Sequence, residues 1–212
     1  MARPEGPLLL LGAGGHGRVV AEIAEALGWN DIAFLDRLWP ELRINLIWPV
    51  IGTVDDLNFP TEARKTAFAT IGSNRPRLEL HRRLIENGFA VPHFVHPSAT
   101  ISRYAVIGRG TVVMPGAVVN AGARIGEAVI VNTGASIDHD CRIGDGVHIS
   151  PGACLAGQVA VGERSWIGIG AVVRESVTVG RDVMIGAGAA VVMDIGDSQT
   201  ATGVPARTRT GT

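Results

Sequence analysis

An unbroken six-residue repeat of aliphatic side chains runs through the second half of the chain. A period of six fits neither the period of about 3.6 residues of a helix nor the two-residue alternation of an ordinary strand. It is typical of a parallel β-helix built from hexapeptides. We expect each aliphatic residue to fill the interior, with a small side chain two positions earlier letting the chain turn. The aliphatic positions are Ile101, Ile107, Val113, Val119, Ile125, Val131, Ile137, Ile143, Ile149, Leu155, Val161, Ile167, Val173, Val179, Ile185 and Val191.

A second period, of eighteen residues, lies within the first. Three hexapeptides therefore make one coil, and residues eighteen apart should stack about 4.8 Å from each other; Trp166, for example, should lie over His148. We expect the recurring glycines to mark corners that need open backbone conformations. A β-sandwich with chance periodicity is the alternative. One column holds Gly108, Gly126, Gly144, Gly162 and Gly180, and another holds Asn132, Ser150, Gly168 and Gly186.

The first ninety residues follow a different pattern, in which an apolar strand, a glycine-rich turn and an amphipathic helix succeed each other. The run Leu8 to Leu11 precedes a G-x-G-x-x-G turn over residues 12–17, a helical pattern up to Gly28 and a second strand over residues 32–36. Glycines in such a turn let the backbone approach phosphate oxygens, and the helix N-terminus supplies amide donors. Asp36, at the end of the second strand, could accept from a hydroxyl or ring N–H of a nucleotide.

One further strand over residues 66–71 ends in Gly72-Ser73-Asn74, before a helix from about residue 75 to 87. These elements make half of a doubly wound sheet, which suits one nucleotide. A full dinucleotide-binding domain and a turn that merely packs helix on strand are the alternatives. Residues 38–60 are interpreted as a loop or short strand that crosses the face of the small sheet, and the last residues as frayed. The predicted domains are 1–92 and 93–212.

Composition narrows the possible classes of protein. The net charge of −1 argues against a nucleic-acid binder or a membrane-surface protein. No stretch approaches twenty apolar residues, and Met1 to Gly6 lacks the layout of a signal peptide. Cys141 and Cys154 are not multiples of eighteen apart, so we interpret them as free thiols in a reducing cytoplasm.

The predicted β-helix contains two histidines, His139 and His148. His139 stands between Asp138 and Asp140, and neighbouring carboxylates should raise its pKa and make it a better base. Residue Gly157 follows His139 by eighteen, so its N–H could face a developing oxyanion. A base beside an oxyanion donor suits acyl transfer, although an exposed surface histidine is the alternative. The remaining histidines precede the β-helix, so a three-histidine zinc site is not expected.

The segments 132–144 and 148–153 resemble the bacterial left-handed β-helix sugar acyltransferases. The closest similarity is to the nucleotide-amino-sugar N-acetyltransferases, including the UDP-4-amino-sugar acetyltransferases of bacillosamine synthesis, with sialic-acid O-acetyltransferases as relatives. The resemblance extends to residues 12–17, 34–36, 71–74, 96–99 and 203–206. It implies a small Rossmann-like α/β domain followed by a left-handed parallel β-helix, and a homotrimer with active sites between chains.

The resemblance also implies roles for individual residues. His139 matches the catalytic base, Asp140 the acidic neighbour that raises its basicity, and Gly157 the oxyanion donor. Acetyl-CoA is the expected co-substrate, with no metal and no NAD. The positions that match contacts to the nucleotide part of the sugar are Gly14, Gly15, His16, Asp36 and Gly72. Arg37, which follows Asp36 where the bacillosamine enzymes have a second acid, is a further candidate for substrate binding. The positions that match acetyl-CoA contacts are His148, Ile169 and Ala187.

The predicted function is transfer of an acetyl group from acetyl-CoA to the amine of a nucleotide-linked amino sugar, of the UDP-4-amino-4,6-dideoxy type. The amine attacks the thioester directly, with His139 as general base. Two alternatives stay open at this point. One is O-acetylation of a sugar of the sialic-acid type, and the other is a non-enzymatic trimeric scaffold that binds a nucleotide.

Overall fold

The computed structural model describes residues 6–54 and 66–209. The chain divides into two compact units, Met1–Phe94 and Val95–Thr212. In the described residues no helix is both long and apolar enough to cross a membrane.

The first unit is a small α/β domain with a five-stranded sheet in the order β3-β4-β2-β1-β5. The central strand β1 pairs in parallel with β2 and β5, and all four of its leucines are buried. A strand covered on both faces is expected to be a continuous apolar run. The elements are β1 (Leu8–Leu11), α1 (Gly15–Ala26), β2 (Ile32–Leu35), β3 (Ile44–Asn45), β4 (Trp48–Gly52), β5 (Thr66–Ala69) and α2 (Asn74–Glu86).

The segment after β2 extends this sheet and does not cross its face. Strands β3 and β4 form an antiparallel pair, and β4 pairs in parallel with β2. Trp48 anchors the extension, because its indole N–H donates to Glu25 Oε1 at 3.0 Å and its ring packs edge-on against Phe34. The prediction of a crossing segment is therefore wrong for residues 38–54, and residues 55–60 lie outside the described part of the chain.

The second unit is a left-handed parallel β-helix whose strands are two residues long. Its three sheets contain every third strand, and partners lie eighteen residues apart in sequence, as Ser136 and Cys154 do. The strands are β6 (Phe94–Val95), β7 (Thr100–Ile101), β8 (Val106–Ile107), β9 (Val112–Val113), β10 (Val118–Val119), β11 (Arg124–Ile125), β12 (Ile130–Val131), β13 (Ser136–Ile137), β14 (Arg142–Ile143), β15 (His148–Ile149), β16 (Cys154–Leu155), β17 (Ala160–Val161), β18 (Trp166–Ile167), β19 (Val172–Val173), β20 (Thr178–Val179), β21 (Met184–Ile185) and β22 (Ala190–Val191).

The interior of this unit confirms the six-residue pattern. From Val113 to Val191 the aliphatic residue of each hexapeptide is at most 3% exposed. The small side chains two positions earlier join the same core, as Ala135, Cys141 and Ala153 do. Trp166 lies over His148 as predicted, with ring centroids 4.4 Å apart.

The corners show why glycines recur, and the reason differs from the prediction. A positive φ occurs at every sixth residue from 110 to 188, including Asp140 at 58°. The column that contains Gly144 lies two residues earlier and has no such φ. A side chain at Gly144 would instead collide with the main chain of Glu163 in the next coil, at 2.7 Å. Close stacking of coils requires these glycines, whereas the left-handed corner also accepts Asp, which tolerates that conformation.

A short hairpin follows the β-helix. Strand β23 (Thr200–Thr202) pairs in parallel with β21 and antiparallel with β24 (Arg207–Arg209). Ala206 is buried within this hairpin. The prediction of a frayed end is wrong up to residue 209, because the tail continues the sheet, and residues 210–212 lie outside the description.

Candidate active site

In the glycine-rich turn of the small domain, some glycines are required for packing and others leave the backbone accessible to a ligand. Gly12 has a φ of 117°, and a side chain at Gly17 would collide with Gly12 O, so these two glycines join strand β1 to helix α1. Gly14 and Gly15 are exposed, and nothing lies within 4 Å of a Cβ built at either residue. The space beside Gly14 and Gly15, at the N-terminus of α1, is thus clear of atoms of the described residues and suits a phosphate group.

Asp36 stabilises the glycine-rich turn through hydrogen bonds to main-chain N–H groups. Its Oδ2 accepts the main-chain N–H of Ala13 at 2.7 Å, and its Oδ1 accepts that of Leu38 at 3.0 Å. Asn45 adds a second tie, since its amide donates to Ala13 O at 2.9 Å. Each carboxylate oxygen of Asp36 retains a further lone pair for a ligand donor. No periodic spacing in the sequence points to Asn45, because its hydrogen bond joins residues that are thirty-two positions apart.

His16 is a half-buried histidine in the first turn of α1. Its Nε2 is shielded from solvent and has no hydrogen-bond partner in the described residues. Burial and, to a smaller degree, the charge of Arg77 together lower the pKa of His16 to about 4. The imidazole is therefore neutral at physiological pH, when it carries one donor and one acceptor nitrogen.

Arg77 is a buried arginine that organises the turn after β5, and the sequence pattern did not reveal it. Its guanidinium donates to Gly72 O at 2.7 Å and to Asn74 Oδ1 at 3.0 Å. Burial lowers its pKa to about 9. Gly72 is half-buried, and no atom of the described residues lies within 4 Å of a Cβ built there. Arg37, in contrast, is exposed, lines a cavity of about 120 Å³ with Ile71 and Glu79, and has no ion pair within the described residues.

In the β-helix unit, His139 and Asp140 form an acid–base pair at one corner. Nδ1 of His139 lies 2.9 Å from Asp140 Oδ2, and both side chains are more than half exposed. The hydrogen bond to Asp140 raises the pKa of His139, and the charge of Asp138 raises it as well. Because a carboxylate only accepts, Nδ1 carries the proton and Nε2 is the basic nitrogen.

The ring of His139 lies directly over Gly157, as the eighteen-residue spacing predicts. A Cβ built on Gly157 would stand 2.5 Å from His139 Nε2 and 2.6 Å from Cε1. Gly157 is buried, and its N–H meets no acceptor in the described residues. One coil earlier, the N–H of His139 donates to Asp138 Oδ1 at 2.7 Å, but Ala156 offers no such oxygen. This N–H is therefore available to donate to an incoming oxyanion.

The residues matched to acetyl-CoA lie on a different part of the β-helix. His148 is on β15, its ring tilted against Trp166, and its Nε2 is 3.0 Å from Asn132 Nδ2. Ile169 and Ala187 are exposed and stack at the corner that follows β18 and β21. His139 occupies the corner after β13, which belongs to another sheet. One chain therefore presents the base and this second group on separate corners.

The sequence pattern did not identify two further residues near His139. Asn120 Nδ2 donates to Asp138 Oδ1 at 2.9 Å, and a side chain at Gly122 would collide with the Asp140 carboxylate. Both stand one coil before the residues they contact, so stacking arithmetic could have found them. Across residues 6–54 and 66–209, no cluster of three or more His, Cys, Asp or Glu side chains could hold a metal ion.

Comparison with known proteins agrees with both units. Residues 7–84 match the PglD N-terminal domain family, and residues 122–157 and 159–192 match the bacterial transferase hexapeptide (six repeats) family. The acetyltransferase domain of PglB from Neisseria gonorrhoeae FA1090, solved with acetyl coenzyme A, is 46% identical with a TM-score of 0.92, covering 97% of this chain and 100% of that one.

Two other solved structures extend the comparison. PerB from Caulobacter crescentus, solved with CoA and GDP-perosamine, is 40% identical with a TM-score of 0.91, covering 99% of this chain and 100% of that one. WeeI from Acinetobacter baumannii AYE, at 24% identity and a TM-score of 0.88, covers 97% of this chain and 100% of its own, and shows the shared fold. The identity and coverage shared with the first two place the chain, as an acyltransferase, in the nucleotide-amino-sugar N-acetyltransferase family of left-handed β-helix proteins.

Proposed function

We propose that this protein transfers an acetyl group from acetyl-CoA to the amine of a UDP-linked 4-amino-4,6-dideoxy sugar. The observation that carries the proposal is the His139–Asp140 pair lying over Gly157, which brings a basic nitrogen close to an N–H that has no acceptor among the described residues. Similarity to enzymes solved with acetyl coenzyme A or with CoA and GDP-perosamine supports both substrate classes.

The reaction needs no covalent enzyme intermediate. The sugar amine attacks the thioester carbonyl, a C–N bond forms, and Nε2 of His139 accepts the proton that the amine releases. Gly157 N–H donates to the oxyanion of the tetrahedral intermediate. When the intermediate collapses, the C–S bond breaks, and the imidazolium returns its proton to the thiolate of CoA. Asp140 stabilises that imidazolium through Nδ1–H.

The small domain is proposed to hold the nucleotide. Gly14 and Gly15 would admit the diphosphate to the N-terminus of α1, where main-chain N–H groups point outward. Gly72 would let another part of the nucleotide approach the turn that Arg77 supports. Neutral His16 would contribute a hydrogen bond, and Asp36 and Arg37 would contact the base or ribose.

The coenzyme is proposed to lie along His148, Ile169 and Ala187. His148 is on strand β15, Ile169 and Ala187 lie at the corner that follows the strands of the same sheet, and His139 lies at a different corner, so a homotrimer in which one chain's base faces a neighbour's coenzyme would unite them. Sedimentation at micromolar concentration tests this assembly, and a fully active monomer would refute it. A cytoplasmic location is proposed as well, because Cys154 is an exposed free thiol, which a reducing compartment maintains.

Steady-state kinetics with a panel of UDP-, dTDP- and GDP-linked amino sugars test the proposal. His139→Ala should lower kcat by about two to four powers of ten with little change in either KM. His148→Ala should instead raise the KM for acetyl-CoA. His93→Ala is the matched control, since His93 is exposed and lies outside both groups. A His139→Ala enzyme that keeps more than about a third of the wild-type kcat would exclude this mechanism.

A further inference from the structure

We infer that Asn120 and Gly122, one coil before the acid–base pair, are positioning residues that hold His139 and Asp140 in place for the reaction. The inference rests on the proposed function and deepens it, because neither residue touches a substrate in this scheme. Asn120 acts by contact, and Gly122 acts by leaving space.

Asn120 reaches the main chain of His139 through one carboxylate oxygen. Its Nδ2 donates to Asp138 Oδ1 at 2.9 Å, and the same oxygen accepts the N–H of His139 at 2.7 Å. These two hydrogen bonds lower the pKa of Asp138, so its carboxylate is ionised and accepts from both donors. Asn120 thereby restrains the side chain that fixes the backbone of the base.

Gly122 provides the space that the Asp140 carboxylate occupies. The two residues are eighteen apart and stack at the same corner, where both have a positive φ, 74° and 58°. A Cβ built on Gly122 would collide with Asp140 Oδ1, which belongs to the carboxylate paired with His139 Nδ1 at 2.9 Å. The acid–base pair is thus bounded on both sides, by Gly122 of the preceding coil against Asp140 and by Gly157 of the following coil against the imidazole.

Equivalent corners show that Gly122 is not required by backbone conformation alone. Ala128, Gln158 and Ser176 adopt the same left-handed φ, between 51° and 63°. Gly116 has a φ of 69° and nothing within 4 Å of a Cβ built there. Gly116→Ala and Gly122→Ala therefore introduce the same left-handed alanine, and only the second meets the Asp140 carboxylate.

The first experiment compares these two variants by NMR titration of the imidazoles and by the pH profile of kcat/KM. His139→Ala identifies the signal of His139. Gly122→Ala should lower the pKa of His139, because its carboxylate partner is displaced, and should lower kcat by roughly ten- to a hundredfold. Gly116→Ala should change neither quantity. An unchanged pKa in Gly122→Ala would overturn the inference.

Double-mutant cycles then separate the inference from the proposed function. Gly122→Ala should have no further effect on kcat in an Asp140→Ala background. Asn120→Ala by itself is expected to lower kcat by about three- to tenfold. In an Asp138→Ala background it should have no further effect. Additive losses in both cycles would overturn the inference. If the pKa of His139 falls in Gly122→Ala while the pH profile and kcat stay at wild type, the positioning stands and His139 is not the base.

Discussion

A methyl group on Gly157 would occupy the space in which the His139 ring lies. Its distance to His139 Nε2 would be 2.5 Å, whereas ordinary contact begins at 3.4 Å, so the ring must retreat by about 0.9 Å to restore ordinary contact. A displacement of about 1 Å at a reacting group can cost roughly a hundredfold in rate. We therefore expect Gly157→Ala to lower kcat by about a hundredfold, and by up to about ten-thousandfold if the ring swings away entirely.

Folding should survive this substitution. Gly157 does not need a positive φ, and the side chain that must move is 55% exposed. The N–H of residue 157 is also retained, so a loss of activity reports the position of His139. Gly196→Ala is the matched control, because its Cβ would meet Gln199 at ordinary contact distances of 3.6 to 3.7 Å.

The assay is single-turnover acetylation in wild-type, Gly157→Ala, His139→Ala and double-variant enzymes, with melting temperatures measured in parallel. In the His139→Ala background the methyl group has nothing to displace, so Gly157→Ala should cost much less there than in wild type. Equal losses in the two backgrounds, or a Gly157→Ala enzyme with wild-type kcat, would refute the steric reasoning.

Two other predictions concern pH and substrate binding. Asp140 raises the pKa of His139, and a base acts only when deprotonated, so Asp140→Asn should move the acidic limb of the kcat/KM profile to lower pH; an upward shift would contradict the pairing. Gly14 has an extended backbone and no atom of the described residues near its Cβ, so Gly14→Val should still fold, with at most the small loss of stability of a poorer N-cap, while raising the KM for the sugar nucleotide and not that for acetyl-CoA. Equal weakening of both substrates, or tight binding of NAD in calorimetry, would contradict the assignment of this domain.

The periodic half of the fold was readable from the sequence because its contacts repeat at one short spacing. Each coil contacts the coils before and after it, so the interior positions of Ile137 and Leu155 follow from counting, as does the stacking of His139 on Gly157. Counting eighteen residues back from Asp138 and Asp140 in the same way leads to Asn120 and Gly122. The glycine-rich turn was readable for a related reason, since strand, turn and helix are consecutive in the chain.

Other features depended on contacts between residues far apart in sequence, which no local pattern encodes. Asp36 binds the N–H of Ala13 across twenty-three residues, and Thr70 donates to Gly12 O across fifty-eight. From its place in the sequence, Arg77 is expected to be a surface residue of α2, but the fold buries it. The residue pattern did not distinguish Asp138 from Asp140, and the family resemblance pointed to Asp140. In the tertiary structure Asp140, which has a left-handed φ, places its carboxylate at Nδ1 of the imidazole, while Asp138 is held by Asn120. The sequence determined which residues share a corner; side-chain direction and long-range hydrogen bonds, set by packing, determined what each of them does there.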